Sequence, residues 1–222
     1  IKMEQIKTQH RSLSDIATDS IRNAIIRGDF KMGEPVTEAA LSEALKISKT
    51  PVREALSKLE SEGLVFSEKN KGYRIFSLTR DEYVELSELR FALEAQALRY
   101  GFTRNHSLLI KELKVLVDKM EGYLEASDRE IYQTLDNDFH HVFFKACGNN
   151  AISKLYDKHQ SVIVATRLRN LRKEKITKHV SFDQHKLMLS LLENFDLDEA
   201  IKILEGHIVN YAKESFVEPV NL

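Results

Sequence analysis

The chain has 222 residues, and its 33 Lys and Arg against 34 Asp and Glu give a formal net charge of −1. A hydrophobic fraction of 42% and a charged fraction of 30% are typical of a folded globular protein and exclude a disordered one. No apolar run approaches the roughly 18 residues that a membrane helix needs, and the single cysteine excludes a disulfide framework. We therefore expect a cytoplasmic protein with no membrane partner.

Proline and glycine are concentrated near the start of the chain. Two of the three prolines and four of the eight glycines precede residue 77, whereas no proline lies between residues 79 and 216. Residues 1–77 carry 13 Lys and Arg against 11 Asp and Glu, and residues 78–222 carry 20 against 23. This shift predicts a mainly α protein with two domains, 1–77 built from short elements and 78–222 built from long helices.

The first domain is predicted to contain three helices followed by a β-hairpin. Helical spacing of apolar residues predicts the first helix before Gly28, the second from Thr37, and the third over about 48–62. Residues 64–66 and 73–76 predict two strands joined by a polar turn. Three helices and a hairpin in this order are typical of a winged helix-turn-helix.

The second domain is predicted to be an all-helical bundle. Thr79 and Glu82 have the spacing of a capping box, which would begin its first helix. Leucines at positions 86, 89 and 93, together with Ala97, indicate the buried face of that helix. Polar residues or glycine mark the breaks, at Asn105, Ser127, 148–149, Thr177 and Asp196. About six helices are therefore predicted, at 80–102, 106–126, 128–146, 150–171, 178–194 and 197–215.

The start of the third helix is the candidate DNA-reading surface, because the second helix of such a motif presents its N-terminal residues to the major groove. Hydroxyl groups there suit phosphate oxygens, and an arginine bidentate to guanine is the commonest specific base contact. The alternative, that the cations only decorate a solvated helix, is disfavoured by the complete order of elements. The candidate DNA-binding residues are Ser48, Lys49, Thr50 and Arg53 on the helix, with Lys71 and Gly72 in the wing.

Three histidines and one aspartate form a candidate metal site in the second domain. Asp136 and His140 are four residues apart and share one helix face, while His185 and His207 each share a face with apolar residues. Metal sites in helical bundles are built from such inward-facing side chains on different helices. Nitrogen and carboxylate donors without thiolate suit Zn²⁺, Ni²⁺, Mn²⁺ or Fe²⁺. Spacing alone leaves open that these histidines are hydrogen-bonded core residues.

The first domain resembles the GntR family of bacterial transcription regulators from residue 21 to residue 76. The matching runs are Ile25-Ile26-Arg27-Gly28, Leu41-Ser42-Glu43-Ala44-Leu45 and Ser48-Lys49-Thr50-Pro51-Val52-Arg53-Glu54-Ala55-Leu56, continued by Lys71-Gly72-Tyr73. The resemblance implies that Arg53 contacts a base. Lys49 stands where arginine is more usual, and Ala39 replaces a further DNA-contacting arginine of some members.

Residues 79–215 resemble the FCD ligand-binding domain of the FadR subfamily, on Glu88-Leu89-Arg90, Asp136-Asn137-Asp138-Phe139-His140, His185 and His207. The resemblance implies that Asp136, His140, His185 and His207 hold a divalent metal, with Zn²⁺ preferred over Ni²⁺, Mn²⁺ or Fe²⁺. By resemblance Arg90 lies near the effector pocket, and an ion pair with Glu94 is its alternative role. Arg167 and Arg169 are weaker candidates of the same kind.

The sequence therefore predicts a transcription regulator and not an enzyme. A homodimer would bind an inverted repeat in operator DNA, because operator symmetry mirrors protein symmetry. A small carboxylate effector bound at the metal site would change that binding. Two alternatives stay open: a metal-dependent enzyme that uses the three-histidine, one-aspartate site, and a constitutive DNA binder whose metal is structural.

Overall fold

The computed structural model describes residues 11–69, 71–124, 129–173 and 178–215. The chain divides into two compact units, Ile1–Ser77 and Leu78–Leu222, called the winged unit and the helical unit below. Among the described residues, no helix combines the length and the apolar character that crossing a membrane requires. The breaks predicted at Ser127 and Thr177 lie outside the described residues.

The winged unit has the predicted order of three helices and a hairpin. Its elements are α1 (Leu13–Arg27), β1 (Pro35–Val36), α2 (Glu38–Leu45), α3 (Lys49–Ser61), β2 (Val65–Glu68) and β3 (Gly72–Ile75). The strands form an antiparallel sheet in the order β1-β3-β2. The two-residue strand β1 was not predicted, because a segment so short shows no alternation and is defined only by its pairing with β3.

Local signals set the helix ends around the turn between α2 and α3. Thr37 caps α2, its hydroxyl accepting a hydrogen bond from the Ala40 amide, as the sequence predicts. Lys46 ends α2 in the left-handed conformation, with φ of 54°. Helix α3 then buries its apolar face, Val52, Ala55, Leu56 and Leu59, against the core of the unit. The opposite face of α3 is left to solvent.

The helical unit contains the long helices that the lack of proline predicts. They are α4 (Arg80–Gly122), α5 (Arg129–Cys147), α6 (Asn150–Lys173), α7 (Lys178–Glu193), α8 (Leu197–Glu205) and α9 (Tyr211–Ser215), with a π-helical turn at Gly206–Asn210 between the last two. The capping box of Thr79 and Glu82 is present at the start of α4. Asn105, the predicted break, has non-helical angles (φ −142°, ψ 45°) and divides α4 into two arms.

The buried face of α4 is wider than the predicted one. Ala97 is fully buried and Leu86 and Leu93 are partly buried against the core, but Arg90 and Glu94 also lie inside the unit. The two charged residues were not predicted there because hydrophobic spacing assumes that charged side chains face water. Here the charges of Arg90 and Glu94 are paired with each other, which lowers the cost of burying them. This polar face of α4 borders the candidate metal site.

Candidate functional site

The predicted DNA-reading residues form an exposed surface at the start of α3. Ser48, Lys49, Thr50 and Arg53 are all solvent-exposed. Ser48 occupies the cap position of α3, yet its side chain makes no capping hydrogen bond. Its hydroxyl is therefore not committed to the helix, and the backbone amides of the first turn face a position that favours an anion such as phosphate.

Arg53 is held by a residue that the sequence analysis did not single out. Its Nε donates to Oε1 of Glu38 at 2.8 Å, and its Nη2 donates to Oε2 at 2.8 Å. Glu38 is the first residue of α2, so this pair links the two helices of the helix-turn-helix. The side chain of Arg53 nevertheless remains 67% exposed.

The two predicted wing residues, Lys71 and Gly72, differ in their exposure and in their backbone conformation. Lys71 is exposed, so its ammonium is available to a partner. Gly72 is half-buried with φ of +91°, and an added Cβ would lie 2.9 Å from the Val36 carbonyl oxygen. A glycine is therefore required here for the turn and for the close approach of β1. A DNA contact by its backbone stays a prediction.

Asp136, His140, His185 and His207 come together in the helical unit. Asp136 and His140 lie on α5, His185 lies on α7, and His207 lies on the π-helical turn. One ligand atom from each residue falls within 4.8 Å of all the others. Two ligands on opposite sides of a zinc ion lie about twice the metal–nitrogen distance of about 2.1 Å apart, which is close to this limit. The side chains of His140 and His185 are fully buried.

Hydrogen bonds on the outer side of two rings determine which nitrogen faces the cluster. His140 Nδ1 lies 2.6 Å from Glu94 Oε2, and because a carboxylate only accepts, Nδ1 carries the proton. His207 Nδ1 likewise donates to Gln184 Oε1 at 2.8 Å. Both Nε2 atoms therefore present unprotonated lone pairs to the centre.

The lone pairs of His140 and His207 face each other with no proton between them. His140 Nε2 lies 3.2 Å from His207 Nε2 and 3.4 Å from His185 Nε2. Two acceptors in direct contact repel, and the buried Nδ1 of His185 has no hydrogen-bond partner among the described residues. A cation at the centre would convert the repulsion into ligation. The donor set thus fits a divalent metal, with outer hydrogen bonds of the kind that orient histidine ligands.

Asp136 supplies the negative charge of the cluster. Its Oδ1 accepts a hydrogen bond from Ser181 at 3.0 Å and lies 3.8 Å from His185 Nε2. Its Oδ2 lies 2.6 Å from Nη2 of Arg167. Burial opposes ionisation of the carboxyl, but the Arg167 guanidinium and the neighbouring imidazoles outweigh it and hold the pKa of Asp136 below its usual range.

The same environment keeps the imidazoles neutral. Burial lowers the pKa of His185 to about 3, although the Asp136 carboxylate opposes the shift. Burial also lowers the pKa of His140 and of His207 below the usual 6.5. Near pH 7 the three rings are therefore neutral, which is the form that binds a metal.

Two arginines border the cluster with unused donors. Arg90 Nε donates to Glu94 Oε1 at 2.6 Å, while its buried Nη2 has no partner among the described residues. Arg167 Nη2 donates to Asn137 Oδ1 at 2.7 Å, and its buried Nε is likewise without a described partner. The ion pair of Arg90 with Glu94 is therefore present, and part of the guanidinium is still free. The side chain of Arg169 lies outside the described residues.

Each of the two units matches a known protein family model. The family model described as bacterial regulatory proteins, gntR family, matches residues 13–75, and the FCD domain model matches residues 85–210. The Nta operon transcriptional regulator of Aminobacter aminovorans is 31% identical over 81% of this chain and 83% of its own length. The chain belongs to the GntR family.

A second relative is named as a transcriptional repressor, and a solved structure has a similar fold. The probable D-xylose utilization operon transcriptional repressor of Paenarthrobacter nicotinovorans is 28% identical over 87% of this GntR chain and 84% of its own. The solved structure of E. coli McbR/YncC superposes with a TM-score of 0.74 at 20% identity, over 90% of this chain and 95% of that one. At that identity the likeness bears on the fold alone. This GntR chain is thus a bacterial transcription regulator with an FCD domain.

Three residues of the GntR chain's sites were missed or undervalued by the sequence analysis. Glu94 was considered only as a partner of Arg90, although its other oxygen holds His140. Gln184 supports His207, and Glu38 holds Arg53. Only Glu94 had a local signal, its spacing of four residues from Arg90. The other contacts join separate helices, so no sequence spacing indicates them.

Proposed function

We propose that this regulator binds operator DNA through the start of α3 and changes that binding when a small carboxylate reaches a metal site in the helical unit. Ser48, Lys49 and Thr50 would hold phosphates, Arg53 would read a guanine, and the wing residues Lys71 and Gly72 would contact the backbone or minor groove. A homodimer would place two winged units on an inverted repeat. Because it acts on bacterial DNA, the protein would work in the cytoplasm.

We propose Asp136, His140, His185 and His207 as the metal ligands. The observation that supports this is the direct approach of the unprotonated Nε2 atoms of His140 and His207 in a buried cluster. Glu94 and Gln184 would orient two of the rings from outside. Zn²⁺ is the first choice for three imidazoles and one carboxylate, and Ni²⁺, Mn²⁺ or Fe²⁺ would also suit these donors.

The class of effector follows from the free donors beside the cluster. When bound, the metal would supply positive charge that attracts a carboxylate. Arg90 Nη2 is a buried donor without a described partner, and it would donate a hydrogen bond to the second oxygen of that group. Arg167 Nε is a second donor of the same kind. One relative is named for D-xylose, a neutral sugar, so the carboxylate assignment rests on these groups alone.

Metal content per chain tests the ligand set. We expect about one metal ion per wild-type chain, purified without a histidine tag, and none in the Asp136→Ala/His140→Ala variant. His141→Ala is the matched control, because His141 neighbours His140 on α5 but bonds to Gln160 instead. It should keep its metal. Equal metal in the wild type and the double variant would refute the ligand set.

Thermal shifts with the wild-type protein test the effector. Acetate, succinate and citrate should raise the unfolding temperature of the metal-loaded form only, and acetamide and succinamide, the matched neutral amides, should not. Stabilisation by the amides as well would argue against recognition of a carboxylate.

The main alternative is a metal-dependent enzyme that uses the same cluster. The described groups nearest the ligands, Glu94 and the two arginines, are engaged in ion pairs, and a base for hydrolysis would need a free carboxylate or imidazole. A constitutive DNA binder with a structural metal is the second alternative. It predicts an operator affinity that no carboxylate changes, which a binding titration with and without the stabilising acid would reveal.

A further inference from the structure

The ion pair between Glu38 and Arg53 leaves a defined part of the guanidinium free. A guanidinium has five N–H donors, one on Nε and two on each Nη. Glu38 takes the Nε proton and one proton of Nη2, each at 2.8 Å. The donors that remain are both protons of Nη1 and one of Nη2. These lie at the end of the side chain, where two parallel N–H groups match the O6 and N7 acceptors of guanine.

The position of Glu38 makes this arrangement well defined. Thr37 caps α2 immediately before Glu38, so the backbone that carries the carboxylate is fixed by the helix start. The side chain of Glu38 is 24% exposed against 67% for Arg53, so the carboxylate forms the base of the pair and the guanidinium its outer end. The Arg53 guanidinium lowers the pKa of Glu38, which keeps the carboxyl ionised.

A carboxylate on a DNA-reading surface has an electrostatic cost. DNA affinity comes largely from cations that neutralise phosphates, and Glu38 cancels part of the charge of Arg53. A pair held in this way would bind random DNA less tightly than a free arginine. In return the guanidinium is oriented before it meets the bases, and it cannot turn toward a phosphate without breaking two hydrogen bonds.

We propose that Glu38 determines operator specificity by orienting Arg53 for a guanine and by preventing it from binding phosphate instead. Glu38 acts through Arg53 and is a positioning residue. This inference rests on the proposed role of Arg53 in base reading. It assigns to the first residue of α2 a function in discrimination that opposes overall affinity.

The test uses full-length protein and an operator enriched from a random duplex library by the wild-type chain. The relevant guanine is the one whose replacement by 7-deazaguanine weakens the wild type but not Arg53→Ala. For Glu38→Gln we expect binding to random duplex at least as tight as that of the wild type, and a loss of about tenfold in guanine discrimination. Glu38→Asp, which keeps the charge but shortens the reach, should lose discrimination without gaining affinity for random duplex.

Glu43→Gln is the matched control, since Glu43 is an exposed carboxylate on the same helix and its removal changes the net charge equally. It should leave discrimination intact. In the Arg53→Ala background, Glu38→Gln should cause no further loss of discrimination, because Glu38 acts only through that arginine. Circular dichroism on each variant separates a loss of contact from a loss of fold.

The outcomes separate this inference from the proposed function. If Arg53→Ala keeps full discrimination at every guanine, the assignment of Arg53 fails and the role of Glu38 fails with it. If Arg53→Ala loses discrimination while both Glu38 variants keep it, base reading by Arg53 stands and the positioning role is overturned. Tighter binding of Glu38→Gln to the operator with unchanged discrimination would make Glu38 a simple competitor of DNA, which also overturns it.

Discussion

The two candidate sites of this protein differ most in their exposure to water. In the winged unit, Arg53 is 67% exposed and its ion pair with Glu38 lies at the surface. In the helical unit, Glu94 and His185 have no exposed side-chain surface, and the buried charges of Arg90, Glu94 and Asp136 each take part in an ion pair. Exposed ion pairs contribute little to folding because water screens them. Buried ones interact strongly, and removing one partner leaves the other charge without compensation.

This difference teaches which site can be altered without harm to the fold. The candidate DNA-reading residues at the start of α3 are exposed, so we expect substitutions there to cost the winged unit little stability. The buried cluster belongs to the core of the helical unit, so its function and its folding are coupled. A ligand there can shift the protein between states only if it binds them with different affinity.

The largest expected effect comes from the buried ion pair. In metal-free protein, Glu94→Ala should lower the free energy of unfolding of the helical unit by about 3–5 kcal/mol, since it leaves Arg90 charged and buried. Asp29→Ala, which breaks a surface pair with Arg27 whose side chains are 51% and 53% exposed, should cause no measurable change. Urea denaturation followed by circular dichroism compares the two variants. An equal loss of unfolding free energy in both variants would contradict the expected difference between buried and exposed ion pairs.

Metal removal should act on one unit only. A ligand present at 1,000 times its dissociation constant stabilises the state that binds it by about 4 kcal/mol. Calorimetry before and after chelation should therefore show a lower unfolding temperature for the helical unit and an unchanged one for the winged unit. Re-adding Zn²⁺ should restore the first transition. A shift of both transitions together would contradict separate sites.

Acid should weaken the metal-free helical unit over a defined interval. Unfolded His185 takes up a proton near pH 6.5, whereas burial delays protonation in the folded state to about pH 3. Between these values the unfolded state binds more protons, so the free energy of unfolding falls as pH falls, by at most about 1.4 kcal/mol per pH unit for each such imidazole.

The winged unit provides the control for this acid effect, because its only histidine, His10, lies outside the described residues and residues 11–77 include none. Its stability should stay nearly constant from pH 7 to pH 5, while that of the helical unit declines. Denaturant titrations at half-unit pH intervals measure both. A flat profile for the helical unit would show that the cluster histidines are not buried in neutral form.

The smallest expected effects concern backbone strain. Lys46 and Phe195 both have positive φ, 54° and 60°. Lys46 is exposed, so Lys46→Gly should stabilise the winged unit by about 0.5–1 kcal/mol through release of that strain, after allowance for the more flexible unfolded chain. Phe195→Gly should not stabilise the helical unit, because Phe195 stacks on His106 with ring centroids 4.6 Å apart. Thermal melts of both variants would check this pair.

Much of the architecture was predictable because its signals are local. The caps at Thr37 and Thr79, the break at Asn105 and the hairpin after α3 each depend on residues a few positions apart. The spacing of Asp136 and His140 likewise places both on one face of α5. Helical periodicity also made His185 and His207 candidates for the same site, and the family resemblance strengthened that grouping. Local hydrogen bonds and helical periodicity are properties of short segments, so a sequence contains them directly.

Contacts between distant segments were decided only by the tertiary structure. Hydrophobic periodicity could not show that α4 buries Arg90 and Glu94, because the cost of burying a charge depends on partners such as His140 on another helix. Likewise, the π-helical turn that carries His207 and the pairing of Glu38 with Arg53 follow from how helices meet. The sequence by itself determined which side chains each element carries. Packing decided which of them meet in the buried cluster and which remain exposed to water.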